Sequence, residues 1–131
     1  MKIKLTSLYV DDQEKALAFY TDKLGFVKNA DVAQGPYRWL TVASAEEPDG
    51  ASLQLAPNDN PVSKTYQQAL KQQGTPAANF YSDDVQRDYD RLSGLGVTFT
   101  TPATKAPWGS MAVLDDTCGN LIQLTQLSWG G

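Results

Sequence analysis

Eight short stretches of this chain alternate apolar and polar residues or are rich in β-branched ones, and three others place apolar residues at helical spacing. "IKLTSLYV" reads as a strand, and "DDQEKALAFYTDKLG" as a helix with Ala16, Phe19, Tyr20 and Leu24 on one face. Asp12 suits the N-cap of that helix, and Glu14 sits in its first turn near the positive end of the dipole. Gly25 fits its left-handed end. "FVKNADV", "YRWLTVAS" and "ASLQLAP" follow as strands, separated by the turn-forming "AQGP" and "EEPDG". The order then repeats. "AANFYS" is a strand, Val85, Tyr89 and Leu92 mark a helix face, and "VTFTT", "GSMAVLD" and "LIQLTQL" are strands. Between the copies, "NPVSKTYQQALKQQG" predicts a short helix with Tyr66, Ala69 and Leu70 turned inward.

The repetition extends to residue identities. Tyr9, Asp11 and Asp12 match Tyr81, Asp83 and Asp84 at a spacing of 72. Leu24-Gly25 matches Leu95-Gly96 at 71, so the two helical segments differ by one residue. "GASLQLAP" and "GNLIQLTQ" carry Gln54 and Gln123 at the same point, 69 apart. The expected architecture is α+β: two tandem βαβββ modules forming a curved, cup-like mixed sheet with the helices outside. Module 1 spans about 1–57, the connecting helix about 60–74 and module 2 about 75–128. A four-stranded half with one helix has too small a core to stand alone, so one domain is expected.

Alternation also assigns faces. Leu8, Val10, Leu53, Leu55, Ala78, Phe80, Ile122 and Leu124 should pack under the helices. Leu5, Ser7, Tyr9, Ser52, Gln54, Ala77, Asn79, Tyr81, Leu121, Gln123 and Thr125 then point the other way. That second face is almost uncharged, mixed polar and aromatic. It suits a cavity wall better than open solvent or a dry core.

Composition narrows the chemistry. The 131 residues include no histidine and one cysteine, Cys118. A Ser-His-Asp or Cys-His site is therefore excluded, as are imidazole zinc and an intramolecular disulfide. Net charge is −4 with no basic stripe, which disfavours nucleic acid and anionic membrane. No signal peptide or spanning segment is read, and a cytoplasmic location is expected. Asp11-Asp12 and Asp83-Asp84 sit at strand-to-helix corners, where capping explains them. "DDTCGN" (115–120) reads as a structural turn, with Cys118 reactive only if exposed.

The segments "LYVDDQEKALAFYTDKLGF", "YSDDVQRDYDRLSGLGV", "PWGS" and "LDDTCGNLIQL" resemble the vicinal oxygen chelate superfamily. That superfamily includes glyoxalase I, extradiol dioxygenases, fosfomycin-resistance enzymes and bleomycin-resistance proteins. The resemblance implies paired βαβββ modules and commonly two chains per functional unit, hence a homodimer. Its enzymes hold a divalent metal on four side chains, usually histidine and glutamate. Here those positions fall on Leu5, Gln54, Ala77 and Gln123, and no metal or other cofactor is expected. The glutamines stand where the metalloenzymes tend to place glutamate. They suit neutral ligand orientation instead, with Tyr9, Tyr81, Trp39 and Trp108 supplying flat surface. Trp108, in "APWGS", fits either the cavity rim or closure of the core.

The reading that follows is a metal-free small-molecule binding protein, holding a small, flat, partly apolar ligand as bleomycin-resistance proteins do by sequestration. Its expected ligand-binding residues are Gln54, Gln123, Tyr9, Tyr81, Asn79, Ser7, Ser52, Thr125, Trp39 and Trp108, with no catalytic residue assigned. Two alternatives stay open: a glyoxalase-like lyase, isomerase or dioxygenase relative with an atypical or lost metal site, and a degenerate non-catalytic paralogue acting through subunit pairing.

Overall fold

The structure, a computed structural model, describes residues 1–128. It is α+β and consists of two tandem modules, each a four-stranded mixed sheet with helices. The chain divides into two compact units, Met1–Thr65 and from Tyr66 onward.

In the first unit, β1 (Leu5–Val10) leads into α1 (Gln13–Ala18), and β2 (Val27–Gln34), β3 (Tyr37–Ala43) and β4 (Ser52–Pro57) follow. The sheet order is β1-β4-β3-β2, with β1 parallel to β4 and the other pairs antiparallel. The parallel pair puts the first and last strands of the module side by side, so Ser7 lies opposite Gln54. Leu8, Val10, Leu40, Val42 and Leu55 are buried together with Ala16, Phe19 and Tyr20 of the helical segment, as their periodicities require. Asp12 caps α1 by accepting from the Lys15 N–H at 3.0 Å. The one residue by which the two helical segments differ has a physical address. Phe19–Lys23 widens into a π turn, which holds an extra residue without breaking the helix or turning Phe19 and Tyr20 out of the core. Tyr20 then stacks on Phe26 at 6.3 Å between centroids.

The second unit repeats the plan. β5 (Ala78–Tyr81), α3 (Val85–Gly94), β6 (Phe99–Ala106), β7 (Gly109–Asp115) and β8 (Leu121–Leu127) give the order β5-β8-β7-β6. Asp84 caps α3 by accepting from the Arg87 N–H at 3.0 Å. Val85 and Leu92 are buried, and Tyr89 meets the edge of Phe99 at 4.7 Å. β6 begins and ends later than "VTFTT" suggests. Its register with β7 slips between Thr101 and Thr104, around Pro102, which has no N–H to give the ladder.

The connecting helix, α2 (Pro61–Gln72), corrects one expectation. Tyr66 is 56% exposed and Ala69 is also exposed, whereas Ser63 and Gln67 are buried. Hydrogen bonding outweighs apolar periodicity here. The Gln67 amide donates to the Cys118 carbonyl at 2.9 Å and to Asn120 Oδ1 at 3.2 Å. That anchors the "DDTCGN" turn, whose Thr117 takes a left-handed φ of 63°. Asp116 organises the same turn from inside and is fully buried. Cys118 is buried as well, so the condition for its reactivity is not met.

Candidate functional site

The sheet faces turned away from the helices carry the candidate residues, and each module is built separately. On β3, alternation places Tyr37, Trp39, Thr41 and Ala43 on the face of Gln54, Thr41 being its ladder partner. Ser52, Thr41 and Gln54 are buried although they are polar. Burial of such groups is tolerated because each has a hydrogen-bond partner, Thr41 Oγ1 accepting from the Ala30 N–H at 3.1 Å. The Ser7 hydroxyl donates to Gln54 Oε1 at 2.7 Å, and Gln54 Nε2 donates to the Tyr37 hydroxyl oxygen at 3.0 Å. The Asn29 amide donates to Ser52 Oγ at 2.7 Å. Asn29 reaches it from a bulge in β2 between Lys28 and Ala30, the kind of irregularity that re-aims a side chain.

In module 2 the parallel pair β5–β8 sets Asn79 opposite Gln123 and Tyr81 opposite Thr125. Gln123 Nε2 donates to Thr125 Oγ1 at 3.2 Å, and the Thr125 hydroxyl donates to Asn79 Oδ1 at 2.7 Å. Thr125 is buried, Gln123 half-buried, and Tyr81 stands 67% exposed beside them.

The expected residues thus fall into groups. Ser7 joins Gln54, and Asn79, Gln123 and Thr125 join one another. Ser52 is tied to Asn29. Tyr9 and Trp39 are half-buried on the faces assigned to them. Trp108 is 39% exposed at the turn before β7, at the end remote from Val113, the ladder partner of Gln123. Tyr37 and Asn29 escaped the sequence reading. Tyr37 carried a usable signal, since it lies two residues from Trp39 and so on the same face. Asn29 carried none, because a bulge breaks the alternation that would place it.

The four positions at which the resemblance puts metal ligands do not fit a divalent ion. Leu5 is 41% exposed and Ala77 half-buried, and neither side chain has a donor atom. Gln54 has its carbonyl oxygen engaged by Ser7 and its amide nitrogen by Tyr37. Among the described residues, no three His, Cys, Asp or Glu side chains come together. Neutral amide oxygens alone are poor ligands for a transition metal or magnesium.

The profile of the glyoxalase/bleomycin resistance protein/dioxygenase superfamily matches residues 2–124. The chain belongs to this superfamily. Among its relatives, the uncharacterized protein YurT of Bacillus subtilis (strain 168) is 51% identical over 126 residues, covering 96% of this chain and 99% of YurT. Among solved structures, UcmS2 aligns with a TM-score of 0.83 at 30% identity, covering 95% of this chain and 97% of UcmS2. TnmS3, an antibiotic binding protein from Streptomyces sp. CB03234, aligns at 0.78 and 32% identity, covering 98% of this chain and 97% of TnmS3. Ligand binding is thus the coarse function that the superfamily and these neighbours support. Among the described residues no helix is long and apolar enough to cross a membrane.

The strongest charge cluster lies on another part of this superfamily module. Arg38 holds Asp31 by two bonds of 2.8 Å and reaches Glu14 at 2.7 Å. Arg38 points opposite to Trp39, so the cluster faces away from the polar chain. The hydrogen bond from Arg38 holds the Asp31 carboxyl below its usual 3.8, and the guanidinium is held above its own usual range by the same partner. A lowered folded-state pKa stabilises the fold above 3.8, and this is lost as pH falls through the lowered value. Arg38→Met is therefore expected to lower the urea midpoint at pH 7 and to differ less from the parent below pH 3.8. Urea titrations at both pH values test the sign.

Proposed function

We propose that this protein is a metal-free small-molecule binding protein, holding a small, flat, partly apolar ligand on the neutral polar-aromatic faces of its sheets. One observation carries the reading. At Gln54, where the superfamily's metalloenzymes tend to place glutamate, both ends of the side chain are spent on Ser7 and Tyr37. A group so engaged orients a neighbouring phenol; it does not offer a metal an anionic oxygen. On module 1 the lining residues are Gln54, Ser7 and Ser52, with Tyr9 and Trp39 as flat surface, and on module 2 they are Gln123, Asn79 and Thr125, with Tyr81 and Trp108. Likeness to an antibiotic binding protein supports sequestration of an aromatic antibiotic or metabolite as the biological role. The bulky cation bleomycin is a poor candidate, because this lining is nearly neutral. A cytoplasmic homodimer is the form proposed: β1 and β5 each have an edge open within their own sheet, and such edges invite pairing.

The test is a panel of flat aromatic compounds screened by intrinsic tryptophan fluorescence. In the combined variant Gln54→Met, Gln123→Met, Tyr81→Ala, affinity for every hit is expected to fall at least about tenfold. That is the loss of one or two hydrogen bonds and an aromatic contact. Unchanged affinities would reject the proposed site.

A further inference from the structure

The two glutamines occupy equivalent places in the repeat, yet their surroundings have diverged. Gln54 is clamped at both ends, by Ser7 and by Tyr37. Tyr37 pairs with Gln34 at the start of β3, and the equivalent place in module 2, opposite Ala106, is Gly109. No side chain fits there. A Cβ on Gly109 would lie 1.9 Å from the Gln126 carbonyl oxygen, and its φ is +150°. Module 2 therefore has no phenol to take the Gln123 amide. Instead Gln123 Nε2 turns along its own strand to Thr125, which stands where module 1 has Ala56. Thr125 in turn donates to Asn79 Oδ1, where module 1 has Ser7.

The consequence is a pair of amide groups that are held but not used up. Among the described residues, nothing hydrogen-bonds to Gln123 Oε1 or to Asn79 Nδ2. Asn79 is an exposed residue, and Gln123 Oε1 on its half-buried side chain is not buried, since among the described residues that are not exposed no buried side-chain nitrogen or oxygen lacks a partner. Asn79 and Gln123 are ladder partners on adjacent strands, about 4.8 Å apart. One presents an N–H donor and the other a carbonyl acceptor, each fixed by the shared Thr125 hydroxyl. The exposed ring of Tyr81 is on the same face, one alternation further along β5.

We infer that the Asn79–Gln123 pair, and not Gln54, reads the polar edge of the ligand, and that this edge is a carboxamide or ring-fused amide on a flat aromatic body. A ligand amide has an acceptor oxygen for Asn79 Nδ2 and an adjacent N–H for Gln123 Oε1, while the aromatic body lies on Tyr81. Gln54 is a positioning residue for Tyr37. This assignment rests on the small-molecule binding reading above and adds the identity of the recognised group.

The probes are 2-naphthamide and 2-acetonaphthone, which share an aromatic body and a carbonyl but differ in the N–H. Affinities are measured by fluorescence titration for the parent protein, Gln123→Met, Asn79→Leu and Gln54→Met. The parent is expected to prefer the amide about tenfold, the scale of one well-made hydrogen bond at the upper end of its range. Gln123→Met should abolish that preference while still binding the ketone. Asn79→Leu should weaken both probes, since it removes the donor to the carbonyl they share. Gln54→Met, which frees Tyr37, should weaken both probes alike and so leave their ratio as in the parent. Equal binding of the two probes by the parent overturns the assignment but leaves the binding reading standing. A preference that survives in Gln123→Met and vanishes in Gln54→Met overturns it as well. If the parent binds neither probe nor any other flat aromatic compound, the binding reading and this assignment fall together.

Discussion

Asp116→Ala is expected to cost about 3–4 kcal/mol of folding stability, because it strips partners from several buried donors at once. Asp116 Oδ1 accepts from the Cys118 N–H at 2.7 Å and the Asn120 N–H at 3.0 Å, and Oδ2 accepts from the Asn120 side-chain amide at 2.8 Å. The turn these bonds hold is also tied to α2 through Gln67 and leads directly into β8. Alanine leaves donors in a place that water does not reach, and the desolvation cost of each is then uncompensated. Asp116→Asn keeps an acceptor but sets an amide against the amide of Asn120, so about half the loss is expected. Equilibrium urea denaturation of the three proteins makes the comparison. A loss under about 1 kcal/mol for Asp116→Ala would mean that the turn is not held by this carboxylate.

The second large effect is expected at Gly109. Its φ is +150°, and an added Cβ would meet the Gln126 carbonyl oxygen at 1.9 Å and the Leu127 Cα at 3.1 Å. Gly109 and Leu127 are ladder partners, so relief requires prising β7 from β8 where Ser128 also bonds to the Trp108 carbonyl. Gly109→Ala should therefore cost about 3 kcal/mol, as overpacking against immobile backbone does. Gly35 is the control. Its φ is +61°, but nothing lies within 4 Å of the added carbon. Only left-handed strain is then expected there, about 1–2 kcal/mol. Equal losses at the two glycines would show that backbone conformation, and not the close approach of β8, sets the cost.

Much of the fold was legible because two periodicities were written twice. Leu8, Val10, Leu55 and Ile122 are buried where alternation put them, and Asp12 and Asp84 cap the helices they precede. The connecting helix was misread because Tyr66 and Ala69 looked like a core face, whereas the buried positions are Ser63 and Gln67, the glutamine having a distant backbone partner. Local periodicity has no access to such a bond. The same limit applies at the candidate site. That Ser7 and Gln54 share a face followed from alternation, but that they bond, and that Tyr37 completes the chain, depends on parallel pairing between strands 47 residues apart. The difference between Gln54 and Gln123 was hidden for a related reason. In sequence they are equivalent, and only the strand register shows that Gly109 stands where the phenol of Tyr37 would be.

The central claim is that this superfamily member binds a small molecule without a metal. Native mass spectrometry of untagged protein tests it most directly, because the chain has no histidine of its own and a polyhistidine tag would obscure the answer. The protein is exposed first to excess zinc, nickel or manganese, then to the flat aromatic panel. The account predicts no retained metal and one organic adduct per binding site. Retention of one zinc, nickel or manganese ion per site would contradict it.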